Sequence, residues 1–226
     1  MKTAGLLLLF VTLGFSQTHM KTTLSERENS LAFFGGMGVH MVSAPDIVGY
    51  INTITPSSQR VDDFGAAVNF FGGAEFPFNK EWGIKIEHSY LFKSYTVPGN
   101  LGGTYDLYYS VQAPSLMIQK VITGKGYYVK LGAGGGYHFG YASQKVSTFG
   151  ITTEYSSSGL GLKADVVGQT AFDENFFGYI GGSLGWEFLG DLKDSQGKYL
   201  SAAGSAEKAS LQYFYAGLQF GVVQYF

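Results

Sequence analysis

Residues 127–141 read YYVKLGAGGGYHFGY, and along this stretch every second residue is aromatic, aliphatic or glycine. Lys130 and His138 both fall on the alternate positions, among further glycines. Successive side chains of a β-strand point to opposite faces of the sheet. The stretch therefore predicts a strand with one apolar face and one polar face, and its period of two does not fit a helix.

The same period of two recurs along the chain and predicts eight strands. In seven of them the apolar face carries no charge, and glycines crowd the polar face. A Lys or Arg side chain that faces lipid at mid-membrane would destabilise a barrel by about 2–4 kcal/mol. An apolar face without charges is therefore expected where strands contact a bilayer. A soluble lipocalin-like barrel would place its charges outside and fits poorly. The predicted strands are 30–43, 63–77, 82–97, 105–121, 126–142, 158–172, 176–191 and 210–226.

Short and long connections alternate between these strands. The connections 78–81, 122–125 and 173–175 are tight, whereas 44–62, 98–104, 143–157 and 192–209 are mostly longer. Outer-membrane barrels have short periplasmic turns and longer extracellular loops. The fold class expected is all-β: an eight-stranded antiparallel up-and-down transmembrane β-barrel spanning residues 30–226.

The first residues have the features of a secretory signal. Met1-Lys2 is followed by an apolar run over 5–13 and by small residues at Gly14 and Ser16. This pattern predicts a signal peptide over 1–16, cut after Ser16. A membrane anchor is the alternative, but the run is shorter than the roughly 20 residues that span a bilayer. Residues 17–29 would form a short periplasmic leader, and the expected location is the cell outer membrane of a Gram-negative-type bacterium.

Composition narrows the functional classes. The net charge is −2, which argues against a nucleic-acid partner held by phosphate contacts. The sequence contains no Cys, which excludes disulfides, thiolate metal sites and Cys nucleophiles. No two His fall at metal-ligand spacing. Neither a metal nor a cofactor is expected.

The chain resembles the small outer-membrane barrel families: the transmembrane domain of outer-membrane protein A and the OmpX- and OmpW-like barrels. The resemblance rests on the strand count, the alternation of turns and loops, and the strand from Tyr213 to Phe226. Tyr225 and Phe226 resemble the signal read by the barrel assembly machinery. The resemblance implies a monomer in contact with outer-membrane lipid and lipopolysaccharide, and it names no extracellular ligand.

The polar faces predict a network of charges inside the barrel. Diagonal neighbours on a hairpin lie roughly 7–8 Å apart, so Lys85 is expected to pair with Glu75, and Glu187 with Lys163. Unpaired charges in a narrow interior are costly, so pairing into tiers that plug the lumen is expected. The tier near the turns comprises Glu75, Lys85, Glu87 and Lys130; the tier nearer the outside comprises Lys163, Asp165 and Glu187, with His138 and Lys93.

The fourth stretch is less regular than the others. Leu107, Tyr109 and Val111 share one phase, and the apolar positions then shift to Leu116 and Ile118. Pro114 lies between them, and proline cannot donate to a ladder hydrogen bond, so a β-bulge is predicted there. In this reading Gln112 joins the interior polar set.

Aromatic residues near the strand ends predict girdles at the two membrane interfaces. The principal candidates are Trp82, Tyr127, Tyr141 and Trp186. Tyr90, Tyr105 and Tyr213 also lie near strand ends and fit the same pattern.

No catalytic set can be assembled from the sequence. His88 and Ser89 are neighbours on a strand and therefore point to opposite faces, so they cannot act as base and nucleophile. The glycines at 132 and 134–136 lack the spacing of a phosphate loop and open no helix, and are expected to make room inside the barrel. The chain is predicted not to be an enzyme.

The sequence favours a structural or surface-interaction barrel, because an eight-stranded interior is only wide enough to be filled by side chains. Its contacts would be made by the loops 44–62 and 192–209. A narrow OmpW-like transporter for small apolar molecules is the alternative, and a lipid-modifying enzyme is a third, weaker hypothesis.

Overall fold

Eight antiparallel strands close into a barrel in the order β1 to β8, and β8 pairs with β1. The computed structural model describes residues 30–99, 102–147, 150–201 and 208–226. The predicted signal and leader lie outside these ranges, while the predicted fold class is confirmed. The elements are β1 (Ala32–Ser43), α1 (Pro45–Ile54), a 3-10 turn (Ser57–Gln59), β2 (Phe64–Pro77), β3 (Trp82–Pro98), β4 (Thr104–Thr123), β5 (Tyr127–Val146), β6 (Ile151–Ala171), β7 (Phe176–Asp191) and β8 (Ser210–Tyr225).

The two faces of the wall have opposite character. Leu131 is 43% exposed on the outer face, whereas the adjacent Lys130 is 6% exposed inside the barrel. Closing the sheet pairs the backbone groups of every strand with both neighbours, which a wall in hydrocarbon requires. The outer face carries a belt of apolar side chains that includes Met37, Val39, Phe70, Ile86, Ile118, Leu162, Val166, Ile180, Leu184, Leu218 and Phe220.

The barrel has a short-turn end and a long-loop end. The turns 78–81, 124–126 and 172–175 lie at the short-turn end, and Gly126 adopts a φ of 84° that favours glycine. At the long-loop end, residues 143–157 were expected to be a loop, but β5 continues to Val146 and β6 begins at Ile151. The segment is polar on both faces, so it lacks the apolar alternation that identified the other strands.

The expected β-bulge at Pro114 is absent from β4. Pairing with β5 stops after Gln112 opposite Phe139 and resumes at Leu116 opposite Gly135, in the same register. Proline has no N–H to donate, which accounts for the gap without any shift. The change in apolar phase has a different cause: Leu107, Tyr109 and Val111 face the interior, and Gln112 faces outward. The interior is therefore apolar at the long-loop end and polar nearer the short-turn end.

Helix α1 closes the long-loop end. Ile47 and Ile51 are one helical turn apart and fully buried against the barrel mouth. The Asn52 side chain donates to Val61 O at 3.0 Å and accepts from Val61 N at 2.9 Å, which ties the helix to the returning chain. Burial raises the pKa of the Tyr50 hydroxyl, which therefore stays neutral. The sequence had indicated only a loop here.

The helix packs against a cluster that we call the upper chamber. It is an apolar section of the lumen below α1, and it is filled by side chains from the wall together with those of the helix. The upper chamber is formed by Val42, Ile47, Ile51, Leu91, Leu107, Tyr109, Val111, Leu189 and Leu211.

Among the described helices, none is both long and apolar enough to cross a membrane.

Candidate functional site in the lumen

Polar side chains meet inside the barrel near the short-turn end. Lys130 of β5 forms an ion pair with Glu75 of β2 and donates to the Tyr225 hydroxyl at 3.1 Å. Tyr225 in turn donates to Gln169, whose amide lies 3.3 Å from the Glu75 carboxylate. This lower tier links four strands and is electrically neutral, with one Lys and one carboxylate.

A central tier joins opposite walls of the barrel. Lys85 Nζ on β3 lies 2.6 Å from Glu87 Oε2 and 2.7 Å from Asp165 Oδ2 on β6. Lys163 of β6 completes the set by binding Glu87. The Lys85 ammonium also lies 4.8 Å from the centre of the Phe34 ring, a cation–π contact. Two Lys and two carboxylates make this tier neutral as well.

The third polar group contains His138, Glu187 and Ser115, from β5, β7 and β4. His138 Nδ1 lies 2.6 Å from Glu187 Oε2, and His138 Nε2 lies 3.2 Å from Ser115 Oγ. All three residues are buried, with 1%, 1% and 5% exposed. The sequence had predicted that no nucleophile, base and orienting acid could be assembled, yet the barrel brings these three together. Their positions on three different strands hid the relationship.

A hydroxyl, an imidazole and a carboxylate in this order have the connectivity of a hydrolytic triad. Catalysis also needs a place for the reacting atom next to both the nucleophile and stabilising donors. Ser115 is enclosed, and wall glycines press against the set: a Cβ on Gly161 would lie 2.1 Å from His138 Nδ1. Within the described ranges, no three His, Cys, Asp or Glu residues form a group that could hold a metal ion.

The charged residues lie inside, but several expected pairs were wrong. Lys85 sits directly opposite Glu75 in the β2–β3 register, not diagonal to it, and Glu75 binds Lys130 instead. Lys163 lies opposite Gly185, so Glu187 is diagonal to it as expected. Even so, Lys163 binds Glu87, and Glu187 contacts His138.

These differences have one physical cause. Hairpin register identifies neighbours along the wall, whereas long side chains in a narrow barrel also reach strands on the opposite side. Lys93 was expected near the outer tier but is only half-buried, with its Nζ 4.6 Å from the Tyr95 ring centre. Sequence reasoning missed Ser115, Tyr179 and the inward-pointing Tyr225 as members of the network.

Little space remains between the tiers and the wall. A cavity of about 30 Å³ lies at the short-turn end, beside Glu75, Lys130 and Tyr225. One water needs roughly 10–15 Å³ by this measure, so the cavity has room for about two. Gly132 shows how tightly the interior is filled, because a Cβ there would lie 2.2 Å from Asp165 Oδ1.

The aromatic candidates divide between the two faces. Trp82 and Tyr127 lie on the outer face at the short-turn end, 40% and 48% exposed, and Trp186 lies further along the wall, 55% exposed. Tyr141 is partly exposed on the same outer face, whereas Tyr213 is 3% exposed inside, so its assignment to a girdle was wrong.

The last two residues also point in opposite directions. Tyr225 joins the lower tier, while Phe226 is 71% exposed and packs edge-on against Phe33 with ring centres 5.6 Å apart. The two residues expected to form the assembly signal therefore differ in role within the folded barrel.

No protein-family model matches this sequence, and no curated protein is detectably similar to it. Solved structures do share its fold. The Neisserial surface protein A (NspA) aligns with a TM-score of 0.51 and 13% identity, over 87% of this chain and 97% of that one. OprG from Pseudomonas aeruginosa aligns with a TM-score of 0.50 and 11% identity, over 88% of this chain and 96% of that one. The chain therefore has the fold of the small eight-stranded outer-membrane β-barrels.

Proposed function

We propose that this chain is an integral outer-membrane barrel with a closed lumen, which acts through the surface at its long-loop end. The proposal rests on one observation: side chains close the lumen of the barrel at two levels. The ion pairs between β3 and β6 cross the lumen, and α1 seals the mouth above them. A barrel blocked in this way is not built to pass water-soluble molecules.

The apolar outer belt supports the proposed location. Its exposed apolar side chains suit contact with hydrocarbon, and the exposed aromatic residues on the same face suit the two interfaces. The short-turn end then faces the periplasm, and the long-loop end contacts lipopolysaccharide. Export through a signal cut between Ser16 and Gln17, delivery by the barrel assembly machinery and a monomeric state belong to the same proposal.

The long-loop end offers an unpaired strand edge. Residues 151–155 of β6 bond to β5, whereas among the described residues the β6–β7 ladder begins only at Gly159 opposite Leu189, preceded by a bridge from Ser156 to Lys193. Such an edge presents backbone donors and acceptors to another chain. Together with α1 and the described part of the connection after β7, residues 192–201, it forms the surface on which an extracellular partner would act.

Conductance measurements test the closed lumen. We expect the purified protein in planar bilayers to show no steady channel openings, and liposomes containing it not to swell in small sugars. A variant in which Lys85, Glu87, Lys163 and Asp165 are all changed to Ser, with α1 replaced by a short Gly-Ser linker, serves as the open control. Robust conductance of the unmodified protein would overturn the proposal.

One feature favours a second candidate, a narrow transporter for small apolar molecules. The upper chamber is lined by aliphatic side chains, and its present occupant is α1. If the helix swung away, this space would suit an apolar solute. The helix can be locked in place, because Ser210 donates a hydrogen bond to Asp46 and the sequence contains no Cys that could compete for an engineered disulfide.

The lock consists of Asp46→Cys and Ser210→Cys joined as a disulfide. Uptake of a fluorescent apolar compound into proteoliposomes is then compared in the oxidised and reduced states. Transport requires uptake that oxidation blocks and reduction restores. Under the closed-barrel proposal, uptake equals that of empty liposomes in both states.

A further inference from the structure

The buried charges of the lumen do not balance if only Lys residues are counted as cations. Among the described residues, the buried carboxylates are Glu75, Glu87, Asp165 and Glu187, while the buried Lys residues are Lys85, Lys130 and Lys163. The lower tier and the central tier each balance internally. The excess carboxylate therefore belongs to Glu187, and its ionisable contact is His138.

Among the described residues, no further Lys or Arg is left to compensate Glu187. Lys163 of β6 acts on Glu187 electrostatically, but its ammonium is already bound to Glu87 of β3. From β8, Tyr213 and Tyr215 face Glu187 with hydroxyl groups, which carry no positive charge. From β4, Ser115 faces His138. The other buried histidine, His40, bonds to Ser183 and lies within electrostatic reach of the Lys163 ammonium, which disfavours a second positive charge there. The balancing charge is therefore assigned to a proton on the His138–Glu187 pair.

The hydrogen-bond pattern fits the same answer. Ser115 Oγ lies 3.4 Å from Ala113 O, a carbonyl that can only accept a hydrogen bond. When the Ser115 hydroxyl donates to this carbonyl, its oxygen accepts a hydrogen bond from His138 Nε2 at 3.2 Å. His138 Nδ1, at 2.6 Å from a carboxylate oxygen, must also share a hydrogen with it. Neutral histidine carries only one N–H, so this arrangement contains one additional proton.

We infer that His138 and Glu187 form a proton-binding site in which one proton, held between Nδ1 and Oε2 at neutral pH, completes the neutrality of the lumen. The number of protons on the pair is the same whether this proton is assigned to Nδ1 or to Oε2. Glycines make the space: a Cβ on Gly161 would lie 2.1 Å from His138 Nδ1 and 2.4 Å from Glu187 Oε2.

This assignment also explains why the triad-like order is not a catalytic one. A hydrolytic histidine presents a lone pair on Nε2 to the serine hydroxyl and removes its proton. In this barrel, Nε2 donates to Ser115, so the serine is not activated. The pair acts as a structural proton site within the plug.

Nuclear magnetic resonance locates the proton directly. The whole chain, with 15N-labelled His and 13C-labelled Glu, is measured in lipid bilayers at pH 7, and signals are assigned with His138→Gln and Glu187→Gln. We expect either two protonated ring nitrogens on His138 or a protonated carboxyl on Glu187. A neutral, singly protonated imidazole beside an ionised Glu187 carboxylate would overturn the inference.

Two matched amide variants provide a second test that depends on charge. Glu187→Gln removes the excess carboxylate, whereas His138→Gln removes the group that balances it; each replaces one member of the same contact. We expect His138→Gln to lower the urea midpoint in lipid vesicles clearly more than Glu187→Gln, and the double variant to resemble Glu187→Gln. A purely structural hydrogen bond would predict equal losses, and equal or reversed losses would refute the proton site.

Discussion

Lys85 Nζ lies 2.7 Å from Asp165 Oδ2, and this pair joins β3 to β6 across the lumen. Both side chains are fully buried, and Lys85 also contacts Glu87 at 2.6 Å. Taking charges out of water is expensive, and their attraction offsets this cost only when geometry and partners are good. The pair therefore fixes how opposite walls face each other more than it adds net stability.

Removing one member of this pair should be far worse than neutralising both. Lys85→Met leaves the two buried carboxylates with one cation fewer and is expected to cost about 3–5 kcal/mol. Adding Asp165→Asn restores neutrality and should recover most of that loss. Urea unfolding of vesicle-inserted protein measures both free energies; a double variant no more stable than Lys85→Met would contradict the crossing pair.

The outer face can be tested with one residue of β5. Leu131→Arg places a charge on the lipid-facing belt and should cost about 2–4 kcal/mol in bilayers. Thr152→Arg is the matched control, because this residue is exposed on β6 near the long-loop end. We expect a change within about 0.5 kcal/mol there. Similar losses at the two positions would show that Leu131 does not face hydrocarbon.

The barrel fold was predictable because it depends on the alternation of apolar and polar residues within each strand. Lys130 and Leu131 differ in sequence position by one and therefore take opposite faces, whatever the rest of the barrel does. The same logic failed in β4, where Leu107 and Tyr109 line an apolar interior: alternation identifies two faces but does not say which one is inside. Only the charges of other strands carried that information.

The contacts across the lumen were much less predictable. The distance between Lys130 and Glu75 depends on how far the strands are staggered around the whole barrel. Small errors in each turn accumulate, so the sequence could place both residues inside without pairing them. Helix α1 was not predicted for another reason: its buried apolar residues, such as Ile47 and Ile51, span only a short segment of the sequence.

A closed barrel should also resist detergent until it is heated. Its strands all have partners on both sides along the wall, so no free edge is available within the membrane for unravelling. We expect unboiled protein to migrate differently from boiled protein on a detergent gel. A sample unfolded in urea before loading is the control and should match the boiled one. Identical migration of all three samples would argue against a stable closed barrel.

Helix α1 provides the last test, because two of its residues face opposite environments. Ile51 is fully buried in the upper chamber, whereas Gly49 is exposed and a Cβ there would meet nothing within 4 Å. Ile51→Asp should undock the helix, since the loss of a buried Ile side chain alone costs about 2–5 kcal/mol. Gly49→Asp introduces the same charge into solvent and should leave the helix in place.

Amide hydrogen exchange over residues 45–54 measures the docking of α1 in both variants. An opening free energy lowered by about 2 kcal/mol raises the exchange rates roughly 30-fold, while strand amides such as those of β5 keep their protection because the barrel closes without the helix. Equal exchange in Ile51→Asp and Gly49→Asp would show that Ile51 does not hold the helix in the mouth. Loss of protection throughout the strands would show instead that the helix and the barrel unfold as one unit, and that α1 supports the wall and does not merely cover it.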